Sequence, residues 1–245
     1  MYTNGYIFRY SAIMVIIAAA LLSSAAILLK PYQERNEAIN KMQGILASAR
    51  VQNCTTKNAI SLFNKYIVEE QVISPEGKII DSYTKPDKEN AEAFKIDLKT
   101  ENYNKSKNKP YKLPLYIARM NEKTIYIIPM RGTGLWGPIW GNIALTADFK
   151  TVIGAFFDDE AETPGLGAEI AKPKFQSEFA GKKMFDDSGK FTSIEVVKGG
   201  VVKLPENQRI HGVDAISGGT ITSKGVDAMI RNTIESYLPY IKQHR

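Results

Sequence analysis

The hydrophobic pattern divides the chain into three parts. Residues 10–29 carry no formal charge and are bracketed by Arg9 and Lys30. As a helix rising about 1.5 Å per residue, such a segment spans about 30 Å, the hydrocarbon thickness of a bilayer. Its Ile, Leu and Val side chains each favour insertion by roughly 0.3–0.6 kcal/mol, enough together to outweigh Ser11, Ser23 and Ser24. The pattern predicts a transmembrane anchor over residues 1–30. A cleaved signal peptide is the alternative, because Ser24-Ala25-Ala26 has the small side chains of a processing site. Against cleavage, Ile27, Leu28 and Leu29 prolong the apolar run past the cut.

Beyond Pro31 the period changes. Ile39, Met42, Ile45, Leu46 and Ala49 fall on one helical stripe, and Ile60, Phe63 and Ile67 suggest a second. Residues 85–112 are polar and lysine-rich, and 102–110 read as an exposed loop. Residues 31–112 are therefore expected to be a helical region with a polar insert. Sheet-like alternation begins at Leu113. Segments 116–120 and 124–130 flank Asn121-Glu-Lys123 as a hairpin; 141–147 and 151–157 form a second pair turning at Asp148-Phe-Lys150. A short helix over 173–179 and a strand over 191–198 follow. A last helix over 223–237 presents Val226, Met229, Ile230, Ile234 and Tyr237 on one face, and Pro239 limits it. Strands joined by short turns, with helices at their sides, make residues 113–245 an α+β domain: an antiparallel sheet flanked by helices.

Composition narrows the chemistry. The 245 residues suffice for one domain and an appendage, and the net charge of +6 is scattered over separate lysine groups. No aromatic residues interleave with those lysines, so nucleic acid is not an expected partner; a solvated surface is, and anionic membrane lipid would tolerate it. Cys54 is the sole cysteine and His211 and His244 the only histidines. One chain therefore holds no disulfide, no CxxC pair and no protein-ligated iron–sulfur cluster, and no metal site is expected. If it carries electrons, the carrier is organic. The acidic run Asp158-Asp-Glu160 reads as a solvated loop face in preference to a sodium site.

Three stretches suggest chemistry. In Ser217-Gly-Gly-Thr-Ile-Thr-Ser223, the hydroxyls of Ser217, Thr220, Thr222 and Ser223 surround Gly218-Gly219 just before the last helix. Glycines allow positive φ and close approach, and helix-start N–H groups favour negative charge, which suits a phosphate. A Gly-rich turn with a Ser/Thr N-cap fits the same spacing. Gly132-Thr-Gly134-Leu-Trp-Gly137 matches the dinucleotide pattern G-x-G-x-x-G, with Asp158 near the ribose-acid spacing. Pro138-Ile-Trp-Gly141 then leads into strand sequence where a helix is needed, so a nicotinamide site is rejected. Glu162-Thr-Pro-Gly-Leu-Gly167 contains a Pro-Gly turn.

The first of these stretches resembles the covalent flavinylation motif of FMN-binding domains in respiratory electron-transfer complexes, usually Ser-Gly-Ala-Thr; Gly219 departs from it. The other two resemble further stretches of the same family. The resemblance implies FMN attached to Thr220 by a phosphodiester bond made by a separate flavin transferase, with Thr222 as second choice. It implies a cofactor site formed by Ser217, Gly218, Gly219, Ser223 and Lys224, with Leu135, Trp136, Glu162, Thr163, Gly165, Leu166 and Gly167 nearer the isoalloxazine. For Trp136 a core position at a tight turn is the alternative, and for Trp140 the preferred reading. Together with the anchor, the stretches resemble the C subunits of sodium-translocating NADH:quinone oxidoreductases, with the G subunits of Rnf complexes as the near alternative. Electron relay among the other subunits of the membrane NADH:quinone oxidoreductase complex is then implied, with no catalytic residue in this chain. So is a single-pass position in the cell inner membrane with the domain on the periplasmic side. Flanking charge, Arg9 before the span against Lys30, Arg35 and Lys41 after it, does not favour that orientation. A flavin reductase acting alone and a flavin-free anchored assembly module are readings from other classes.

Overall fold

The computed structural model describes residues 3–245, which divide into two compact units, one ending at Lys41 and one running from Met42 to Arg245. Helix α1 (Asn4–Ser48) contains the apolar segment and passes through Pro31 without ending. Proline removes one N–H and crowds the carbonyl four residues back, yet helix-forming sequence on both sides carries the helix across. By length and composition α1 is apolar enough to cross a membrane, and its apolar segment, residues 10–29, is exposed throughout.

The second unit is built on a six-stranded antiparallel sheet of order β2-β1-β3-β4-β5-β6. Its strands are β1 (Ile67–Ile73), β2 (Ile79–Tyr83), β3 (Leu113–Met120), β4 (Lys123–Thr133), β5 (Pro138–Thr146) and β6 (Val152–Asp159). The α+β class expected from the sequence holds. Both expected hairpins are present. β3 and β4 close through Asn121 and Glu122, each with positive φ, the geometry of a tight two-residue turn.

Several expectations need correction. The sheet starts at Ile67, where a helical stripe was expected, because β1 buries Glu70 and Gln71 and so shows no clean alternation. Residues 102–106 of the expected exposed loop belong to α4 (Leu98–Ser106), with the Asp97 carboxylate accepting the N–H groups of Lys99 and Thr100 as its cap. The strand expected over 191–198 shrinks to β7 (Glu195–Val197), which pairs in parallel with β8 (Gly212–Asp214) outside the main sheet.

Helices cover both faces of the sheet. On one, α6 (Thr220–His244) buries Val226, Met229, Ile230 and Ile234 in a core shared with Leu115, Ile128, Met130 and Ile143. On the other, Phe63 of α2 (Ala59–Tyr66) meets Tyr116 of β3 and Phe94 of α3 (Glu92–Lys95) edge-on. Double coverage explains why residues 113–118 of β3 are buried without alternation. α6 starts earlier than expected and continues past Pro239. Its second half is fastened by Tyr237 Oη donating to Pro114 O and Tyr240 Oη donating to Gln71 Oε1, contacts that outweigh the proline. A further short helix, α5 (Pro173–Ser177), follows β6.

Candidate functional site

The three stretches are carried by three different connections. Gly132 and Thr133 end β4, and Gly134 N–H donates to Gly137 O (2.8 Å) to close a hairpin into β5. A hairpin offers no helix N-terminus, which explains physically why the dinucleotide pattern is a decoy. Asp158 lies within β6 opposite Trp140. The tip leaves Leu135 and Trp136 exposed, Trp136 at 66%; it is not a core aromatic. Trp140 is half-buried on β5.

After β6 the chain turns through Glu162-Thr-Pro-Gly-Leu-Gly167. Gly165 takes φ +78°, a left-handed conformation suited to glycine, and Thr163 O accepts the N–H groups of Leu166 and Ala168. The third stretch links β8 to α6. Gly218 has φ +76°, and Gly219 N–H donates to Ile216 O. The Ser223 hydroxyl accepts the Ile216 N–H at 3.0 Å, which folds the loop onto the helix start. The first bond of the helix ladder joins Ser223 N–H to Gly219 O, so the N–H groups of Thr220, Ile221 and Thr222 precede the ladder at its positive end.

These loops meet around a pocket of about 360 Å³. Leu135 and Trp136 supply one wall, Glu162, Thr163, Leu166 and Gly167 a second, and Gly218 to Thr222 the third. Leu166 lies directly over Gly218, where a Cβ would stand 2.5 Å from its Cδ2. Ser217, Ser223, Lys224 and Gly165 sit beside the pocket without lining it; Lys224 is exposed on the first turn of α6. Ile221, which carried no expected role, is 55% exposed and completes an apolar rim with Leu135, Trp136 and Leu166. It was detectable as a bulky apolar residue off the buried stripe of α6.

The hydroxyls are not equivalent. Thr222 is buried and its Oγ donates to Glu162 Oε2 at 2.6 Å. Ser223 is buried and engaged with Ile216. Thr220 is half-buried and lines the pocket. Glu162, also buried, accepts the Trp136 N–H on Oε1 at 2.9 Å.

A larger groove of about 680 Å³ runs between α4, β4 and α6. Several of its polar groups are engaged internally: Lys105 Nζ donates to Asn232 O and Ser236 Oγ, and Glu101 accepts the Lys112 N–H. Burial pushes the Lys105 ammonium below its ordinary range. Nothing there matches the chemistry of the smaller pocket. Among the described residues, no group of three or more His, Cys, Asp or Glu side chains is placed to hold a metal ion.

The chain is similar to known proteins over most of its length. The FMN-binding domain family matches residues 134–235. The chain is 32% identical over 224 residues to the C subunit of the Na(+)-translocating NADH-quinone reductase of Haemophilus ducreyi, spanning 88% of this chain and 83% of that protein. It is 30% identical over 228 residues to the protein of the same name from Pseudomonas aeruginosa, with 89% and 86% covered. The crystal structure of the Parabacteroides distasonis protein of that name superposes with a TM-score of 0.75 at 38% identity, covering 87% of this chain and 96% of that one. Shewanella oneidensis NqrC superposes with a TM-score of 0.67 at 26% identity, covering 86% and 98%.

Proposed function

Since the chain belongs to the family of the C subunits of Na(+)-translocating NADH-quinone reductases, we propose that it is a flavoprotein member of such a complex, with FMN joined to Thr220 through a phosphodiester bond. The observation that carries this reading is the division of labour among the hydroxyls. Thr222 and Ser223 face inward and are engaged, whereas Thr220 opens onto the pocket at the start of α6. A separate transferase needs an accessible acceptor, and no general base has to stand beside it.

The residues present fit the group. The N–H groups of Thr220, Ile221 and Thr222 and the positive end of α6 suit the remaining phosphate charge. Leu135, Trp136, Leu166 and Ile221 offer apolar surface to a flat ring and would shield it from water. Bound there, FMN supplies the electron chemistry, and the chain holds, orients and shields it. The other subunits of the complex are its electron partners. α1 anchors the chain in the inner membrane with the domain on the periplasmic side.

Thr220→Ala, produced together with a flavin transferase, is expected to abolish in-gel flavin fluorescence while leaving the circular dichroism spectrum unchanged. Fluorescence retained in that variant transfers the attachment to another residue. A wild-type chain of unmodified mass, isolated from cells that contain the transferase, overturns the assignment.

A further inference from the structure

Glu162 is the only acid among the described residues lining the pocket, and it is 6% exposed. Each carboxylate oxygen receives one donor from a different connection: Oε1 the Trp136 N–H of the β4–β5 hairpin, Oε2 the Thr222 hydroxyl of α6. Its own N–H donates to Asp159 Oδ1 at 2.9 Å, fixing the residue at the end of β6. Two glycines make room for it. A Cβ at Gly134 would collide with Oε1, and one at Gly167 would collide with Oε2 and stand 2.6 Å from Thr222 Oγ. Gly134 and Gly167 thus clear space for a carboxylate.

We propose that Glu162 is the positioning residue of the site. As a buried anion it ties the Trp136 loop to the first turn of α6, and its charge sets the reduction potential of the cofactor bound beside it. The inference rests on the FMN reading above. Two donors on two oxygens suit the ionised carboxylate, which is acceptor-only. Both donors are neutral, a backbone amide and a hydroxyl, so the negative charge persists at the pocket wall. In that half-dry setting it acts at much less than aqueous screening and opposes the arrival of an electron. The tie acts through Trp136: at 66% exposure the indole has little packing of its own, and the anchored N–H keeps its backbone over the pocket.

The test uses the full chain, produced with a flavin transferase, as wild type, Glu162→Gln and Glu162→Ala. Three quantities are read: FMN per chain on Thr220 by peptide mass, midpoint potential of the bound flavin, and thermal midpoint of protein made without transferase. Glutamine can accept the Trp136 N–H and donate to Thr222 Oγ, so Glu162→Gln is expected to keep FMN near the wild-type level and raise the potential. Glu162→Ala is expected to lower FMN incorporation several-fold. An unmoved potential in Glu162→Gln, or full incorporation in Glu162→Ala, overturns the proposal. A purely structural role predicts unchanged potential with parallel losses of thermal midpoint and FMN in both variants. Should Glu162→Ala fail to fold, Glu162→Gln still decides the matter. A wild-type chain without FMN on Thr220 overturns the flavin reading itself, whereas modified wild type with an unmoved Glu162→Gln potential overturns only the role of Glu162.

Discussion

Gly167 shows how much a single missing methyl matters. Alanine there would press on the Glu162 carboxylate and the Thr222 hydroxyl, which are hydrogen-bonded to each other and buried. Overpacking of this kind costs about 1–3 kcal/mol, so Gly167→Ala should lower the thermal midpoint and loosen the pocket together. Thr222→Val keeps the shape but removes a donor from a buried carboxylate, at a cost of about 1–3 kcal/mol in chemical denaturation; with that half of the Glu162 tie lost, FMN should still map to Thr220 but at lowered occupancy, read by peptide mass. Asp158 yields a pH signature. Burial on β6 raises its carboxyl above the usual range, with the neighbouring Asp159 charge contributing in the same direction. The folded state therefore prefers the protonated form. Its contribution is fully present below the unfolded pKa of about 4 and is lost as pH rises through the higher folded value. Asp158→Asn should accordingly be more stable than wild type at neutral pH, with the advantage fading toward pH 3. The sequence pointed to Gly167 and Glu162 as special residues, but the fit of one around the other is a relation that no spacing encodes.

Among the elements, legibility followed the range of the forces. The β3–β4 and β5–β6 hairpins were readable because alternation and turn chemistry lie within a few residues of one another. β1 was not: the side chain of Gln71 reads as exposed, and while its amide NH2 donates to nearby Glu69, its oxygen accepts from Tyr240 Oη, 169 residues away. α4 was missed because it buries no residue, leaving only the Asp97 cap to announce it. α6 overran its expected end for the same long-range reason, since Tyr237, Tyr240 and Ile241 beyond or beside Pro239 are buried in the core. Tyr237→Phe removes the donor to Pro114 O and should cost about 0.5–1.5 kcal/mol in a denaturant titration, with flavin attachment retained. The pocket depends on the first turns of α6, far along the helix from this tie.

The chain as an assembly of two units makes a separate prediction. Residues 10–29 of α1 expose their apolar side chains along the whole span, so the full chain should stay with membranes through alkaline carbonate extraction. Removing residues 1–30 should give a soluble domain that still accepts FMN; an intact mass lacking the N-terminal residues would instead support a cleaved leader. Composition, the apolar span, the hairpins and the three short stretches were settled by local order along the chain, because each depends on residue types a few positions apart. The meeting of those stretches was not. Trp136 and Glu162 are joined across 26 residues and Glu162 and Thr222 across 60. Which threonine turns outward and which is consumed by a carboxylate follows from the sheet that brings them together.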